Sequence, residues 1–67
     1  MKIYDCSATI YAEKLKSPEF GITIHTKIEA KNNNEAIELA NNSFQKYCDA
    51  LKKHHNNKFL FTNVKIN

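Results

Sequence analysis

The chain has 67 residues and a net charge of +3, and its ten basic residues are all lysine. At 7.7 kDa it has little room for a water-excluding pocket of about 300 Å³ or more, which argues against an enzyme. No stretch approaches the roughly 20 apolar residues of a membrane span, and a basic surface without arginine attracts polyanions without the bidentate fork that reads guanine or clamps phosphate.

Residues 1–67 read as one small domain, whose stability gains from dimerisation or a partner because so short a chain buries only roughly 60% of its unfolded surface. The opening Met1-Lys2-Ile3-Tyr4-Asp5 lacks the apolar run of a secretory signal, so a cytoplasmic protein is expected. There Cys6 and Cys48, both on predicted inward faces, are expected as reduced, buried thiols.

Residues 2–13 alternate, with Tyr4, Cys6, Ala8, Ile10 and Ala12 on one side and Ile3, Asp5, Ser7, Thr9 and Tyr11 on the other. That is the pattern of a half-buried strand. Residues 13–19 form a connection turned by Pro18. Residues 20–30 alternate again, with Phe20, Ile22, Ile24, Ile28 and Ala30 predicted inward and Thr23, His25, Lys27 and Glu29 outward. Gly21, the only glycine, marks a bulge or a close backbone approach.

The chain then enters its firmest element. Asn32 stands as N-cap with Glu35 as its capping-box partner. Ile37, Ala40, Phe44, Tyr47 and Leu51, with Ala36 and Cys48 alongside, trace one stripe of a long helix. Lys52, Lys53, His54 and His55 sit where cations suit the negative end of the helix dipole, and Asn56 or Asn57 is placed to stop it. Residues 58–66 form a third strand, with Leu60, Thr62, Val64 and Ile66 expected on one face and Phe59, Phe61, Asn63 and Lys65 on the other.

Strand, strand, helix, strand predicts an α+β fold of ββαβ type. A right-handed crossover places the third strand beside the first, giving a three-stranded antiparallel sheet of order 2-1-3 with one face under the helix and the other open. The expected register sets Asp5 between Lys27 and Lys65, Tyr11 opposite Phe59, Cys6 opposite Val64 and Ile10 opposite Leu60.

This topology brings the first loop and the helix–strand loop to one pole. Lys14, Lys16, Lys52, Lys53 and Lys58 are expected to cluster there with His54 and His55, beside Tyr11, Phe59 and Phe61 on the open face. Rings next to lysines suit base stacking along a phosphate backbone. The competing reading is a solvated lysine surface and an aromatic face, or a free sheet edge, that makes a homodimer. Zinc is not expected, because two cysteines and three histidines match no finger or ribbon spacing. No cofactor motif, phosphate loop, nucleophile elbow or paired carboxylate site is present, so no catalytic residue is assigned.

At the strand–helix junction, Ile28-Glu29-Ala30-Lys31-Asn32-Asn33-Asn34-Glu35-Ala36-Ile37-Glu38-Leu39-Ala40, the chain resembles small accessory proteins of phages and mobile elements, and most of all the one-domain anti-CRISPR inhibitors. The resemblance covers architecture, size and this junction, and no functional residue carries over from it. It implies a non-enzymatic inhibitor that binds a host protein or ribonucleoprotein complex handling nucleic acid. Direct binding of DNA or RNA is the alternative, and a structural homodimer is the third.

Overall fold

A computed structural model describes residues Met1–Asn67. Strand β1 (Lys2–Ala12) runs into two single 3₁₀ turns, Glu13–Leu15 and Pro18–Phe20, before β2 (Ile22–Ala30), helix α1 (Asn33–His55), β3 (Phe59–Phe61) and β4 (Lys65–Ile66). The fold is α+β, an antiparallel sheet of order β2-β1-β3 with β4 also paired to β1. β1 is thus the central strand, and α1 packs across the sheet on one face.

Local chemistry sets the ends of α1. Asn32 Oδ1 accepts the Glu35 N–H at 2.9 Å, and Glu35 Oε1 accepts the Lys31 N–H at 3.2 Å, so two donors at the helix start are satisfied. At the far end Asn56 takes the left-handed conformation, φ 54° and ψ 31°, and donates its N–H to the Lys52 carbonyl.

Small residues dominate the interior. Ala30, Ala36 and Ala40 are fully buried, joined by Cys6, Ala8, Ile10, Cys48 and Phe44, the largest ring inside. Alanines on both sides of the seam let the helix approach the sheet closely, while Tyr4, Ile24, Ile28, Leu51, Phe59, Phe61, Val64 and Ile66 close its margins. Cys6 and Cys48 are both free thiols. Gly21 is needed for space: a Cβ there would lie 2.5 Å from the Ile10 carbonyl oxygen and 2.8 Å from Thr9 Cγ2.

The first hairpin pairs in the expected register, Asp5 opposite Lys27 and Ile10 opposite Ile22. The third strand differs. Tyr11 lies opposite Leu60, and Ile10 opposite Phe61, not Leu60. Further along, Ser7 faces Lys65 and Cys6 faces Ile66. Thr9 and Thr62 are bonded opposite one another, so the two steps from Thr9 to Ser7 match three from Thr62 to Lys65. One extra residue makes a bulge and reverses the side-chain parity.

Energetics explain the bulge. A regular strand would turn Phe59 and Phe61 outward and set Thr62 against the helix. Burying a phenylalanine is worth about 1.5–3 kcal/mol, whereas a lost ladder bond costs about 0.5–1.5 kcal/mol net. Thr62 softens even that loss, because its Oγ1 accepts the Thr9 N–H at 3.0 Å in place of a backbone carbonyl. Phe59, Phe61, Val64 and Ile66 therefore all pack toward the helix.

Three expectations are corrected as a result. Phe59 and Phe61 do not lie on the open face, because the bulge brings them beneath α1. Asp5 is not flanked by Lys65; its carboxylate meets His25 Nδ1 at 3.3 Å. Phe20 and Ile22, read as inward, are 69% and 70% exposed: Phe20 lies in the 3₁₀ turn before β2, and Ile22 opens the edge strand.

Candidate functional site: a lysine-rich pole

The two loops do meet. Glu13 donates its backbone N–H to the Lys58 carbonyl at 2.9 Å, tying the end of β1 to the residue before β3. Glu13, Lys14, Lys16, Asn56, Asn57 and Lys58 line a shallow cleft of about 290 Å³. Asn56 and Lys16 both adopt positive φ, which folds the two loops sharply at this end. One lysine is engaged: Lys58 Nζ lies 3.4 Å from Glu13 Oε2, with both side chains more than half exposed. Such a surface pair contributes little and exchanges easily for another anion.

Lys52, Lys53 and His54 lie exposed in the last turns of α1, next to this cleft. Five lysines from three segments thus share one end of a molecule 37 Å long. Glu13, Glu19 and Asp49 are the nearby acids. At the opposite end Lys2 and Lys31 are set against Glu29 and Glu35, so the net charge is concentrated at one pole. The Debye length at physiological salt is about 8 Å, so a ligand at one end hardly senses the other.

The remaining candidates separate. His55 turns its ring edge-on to Phe59, centroids 6.0 Å apart. Phe61 stacks obliquely on Phe44 at 5.9 Å. Tyr11 alone of the predicted rings stays on the open face, opposite Leu60. A stacking platform of three aromatics beside the lysines is therefore absent, and the pole is a charged surface without one.

Two features were missed in the sequence. The first is a polar dish of about 540 Å³ on the open face, lined by Ser7, Thr9, Thr23, His25, Thr62, Asn63, Lys65 and Asn67 among others. Thr9 and Thr23 hydroxyls meet at 3.0 Å. Asp5, His25 and Ser7 lie near one another here, but Ser7 Oγ accepts from Asn67 Nδ2 at 3.0 Å and makes no bond to His25. The relay that would activate a serine is missing its central link. Outward hydroxyls at alternate positions were the available signal. The second is an apolar groove of about 260 Å³ between β2 and α1, walled by Ile22, Ile24, Tyr47 and Leu51, with Ile10, His55 and Phe59 below.

Burial pushes the Cys6 thiol above its ordinary 9.0, helped by Asp5. Burial raises Cys48 too, helped by Asp49. Neither is a reactive thiolate. No group of three or more His, Cys, Asp or Glu side chains converges to hold a metal. No helix is long and apolar enough to cross a membrane. Compared with known protein families, curated proteins and solved structures, the chain matches none.

Proposed function

We propose that this protein is a non-enzymatic binding module of the mobile-element type, an inhibitor that docks its lysine pole on a host complex handling nucleic acid in the cytoplasm. The observation that carries the reading is the convergence of Lys14, Lys16, Lys52, Lys53 and Lys58 at one end. Lysine ammonium groups on flexible stems engage an anionic surface without demanding its geometry. The helix C-terminus at this pole presents carbonyls rather than N–H donors, so affinity rests on side chains and falls steeply with salt. The strand–helix junction adds its resemblance to the anti-CRISPR inhibitors.

With Phe59 and Phe61 packed under the helix, base stacking has only Tyr11 to offer. That favours a protein or nucleoprotein partner over sequence-tolerant binding of single strands. The test is affinity capture from host lysate with and without nuclease treatment, repeated with Lys52→Glu combined with Lys53→Glu. A captured complex that survives nuclease and is lost with the double substitution, while the variant keeps its circular dichroism spectrum, is the expected result. Signal lost with nuclease points instead to direct nucleic-acid binding. Capture unchanged by the charge reversal removes the pole from the account.

A further inference from the structure

Independently of the lysine pole, the edge strand β2 and the uncharged flank of α1 form one continuous surface. β2 is nine residues long and has no proline or bulge, and nothing covers its outer side. Natural sheets blunt such edges or use them. The opposite edge is blunted, since the bulge at Thr62–Val64 splits it into pieces of three and two residues.

The backbone of β2 is ready to pair. Thr9 directs both its N–H and its carbonyl to Thr62. Antiparallel ladders alternate, so the even-numbered residues of β1 bond to β2, through Ile22, Ile24, Thr26 and Ile28. The N–H and carbonyl groups of Thr23, His25, Lys27 and Glu29 therefore point out from the free edge.

Beside this edge the side chains are apolar. Ile22 is 70% exposed and Tyr47 45%, and both wall the groove between strand and helix. On a 3.6-residue helix, Leu39, Ser43, Tyr47 and Ala50 lie along the flank facing β2. Glu38, Asp49, Lys46, Lys52 and Lys53 lie on the other flank and the top. Leu39, 40% exposed, is the flank's other large apolar residue.

We infer that β2 and this flank are the interface of a two-fold homodimer. One dyad satisfies both elements. Pairing the whole of β2 with itself sets Thr26 opposite Thr26 of the second copy, Ile24 opposite its Ile28, and Ile22 opposite its Ala30. Every helix-side pair is then apolar or threonine. Thr26 lies about 13 Å along β2 from Ala30, which at 1.5 Å per residue is about nine residues into the antiparallel helix. That level is Asn42–Ser43, and Leu39 and Tyr47 stand about one turn to either side of it. The same axis thus brings Leu39 of each copy toward Tyr47 of the other. An unrelated strand would match the edge alone; a second copy matches edge and flank together. Helices seated over each β1 are three strand spacings apart, about 14 Å, beyond the about 8–10 Å of direct packing. The strands therefore make the primary contact, and Tyr47, Leu39 and the isoleucines fill the seam. The two lysine poles face opposite ends of the dimer, which makes it bivalent.

Sedimentation equilibrium of the purified chain, from low micromolar to several hundred micromolar, tests this. The apparent mass should rise from 7.7 kDa toward twice that value. Ile22→Lys and Leu39→Lys, at exposed positions on separate elements, should each raise the dimer Kd about tenfold or more, with the melting midpoint in dilute solution unchanged. Amide exchange at Thr23, His25, Lys27 and Glu29 should slow as the dimer forms. A monomer at every concentration, or a dimer indifferent to both substitutions, overturns the inference.

Discussion

Thr62 stands at the point where the third strand changes parity, and its hydroxyl accepts the Thr9 backbone N–H in the bond that closes the gap. Thr62→Val should leave that N–H unsatisfied and lower stability by about 1–2 kcal/mol, while Thr62→Ser keeps most of it. Urea unfolding of the two variants measures the difference. Asn32→Ala removes the acceptor for the Glu35 N–H, and should cost about 1 kcal/mol in the same assay. The thiols add a pH dependence. Cys6 and Cys48 hold their protons more tightly folded than unfolded, so their contribution is intact below pH 9.0 and is lost as the pH climbs through the raised folded values. The urea midpoint should fall more steeply above pH 9.0 for the native chain than for the chain carrying Cys6→Ala and Cys48→Ala.

Among the elements, α1 and the first hairpin were legible because each repeats a local rule: capping at Asn32, spacing of three and four along the stripe, and alternation in β1 and β2. The third strand was not. Residues 59–66 open with three apolar residues in a row, Phe59-Leu60-Phe61, so either face of that segment could turn inward and the stretch passes for one ladder. Only tertiary competition, two phenylalanines against one ladder step, decides the parity. That decision moved Phe59 and Phe61 from the expected site into the core and left the lysines where the topology put them. Phe61→Ala should therefore destabilise the domain by about 3 kcal/mol, where an open-face ring would cost little. Gly21→Ala forces β1 and the turn apart, because the clash is with the Ile10 backbone. It should cost about 1–3 kcal/mol.

At the scale of the whole molecule, charge is gathered at one end of a body 37 × 22 × 14 Å in extent, and this asymmetry carries the functional reading. Loop closure between Glu13 and Lys58 makes it a property of the fold, since residues far apart in sequence supply the cluster. Polyanion contact there should weaken linearly in log affinity against log salt, with a slope set by the few lysines engaged. The most direct measurement is a ¹⁵N NMR titration with a short DNA duplex, at low salt and then at high salt. Perturbations confined to residues 13–17 and 52–58, and abolished by salt, are the predicted result. Perturbations centred on Lys27 and Lys65 of the open face, or none at low salt, would contradict the assignment of the pole as the anion-facing surface.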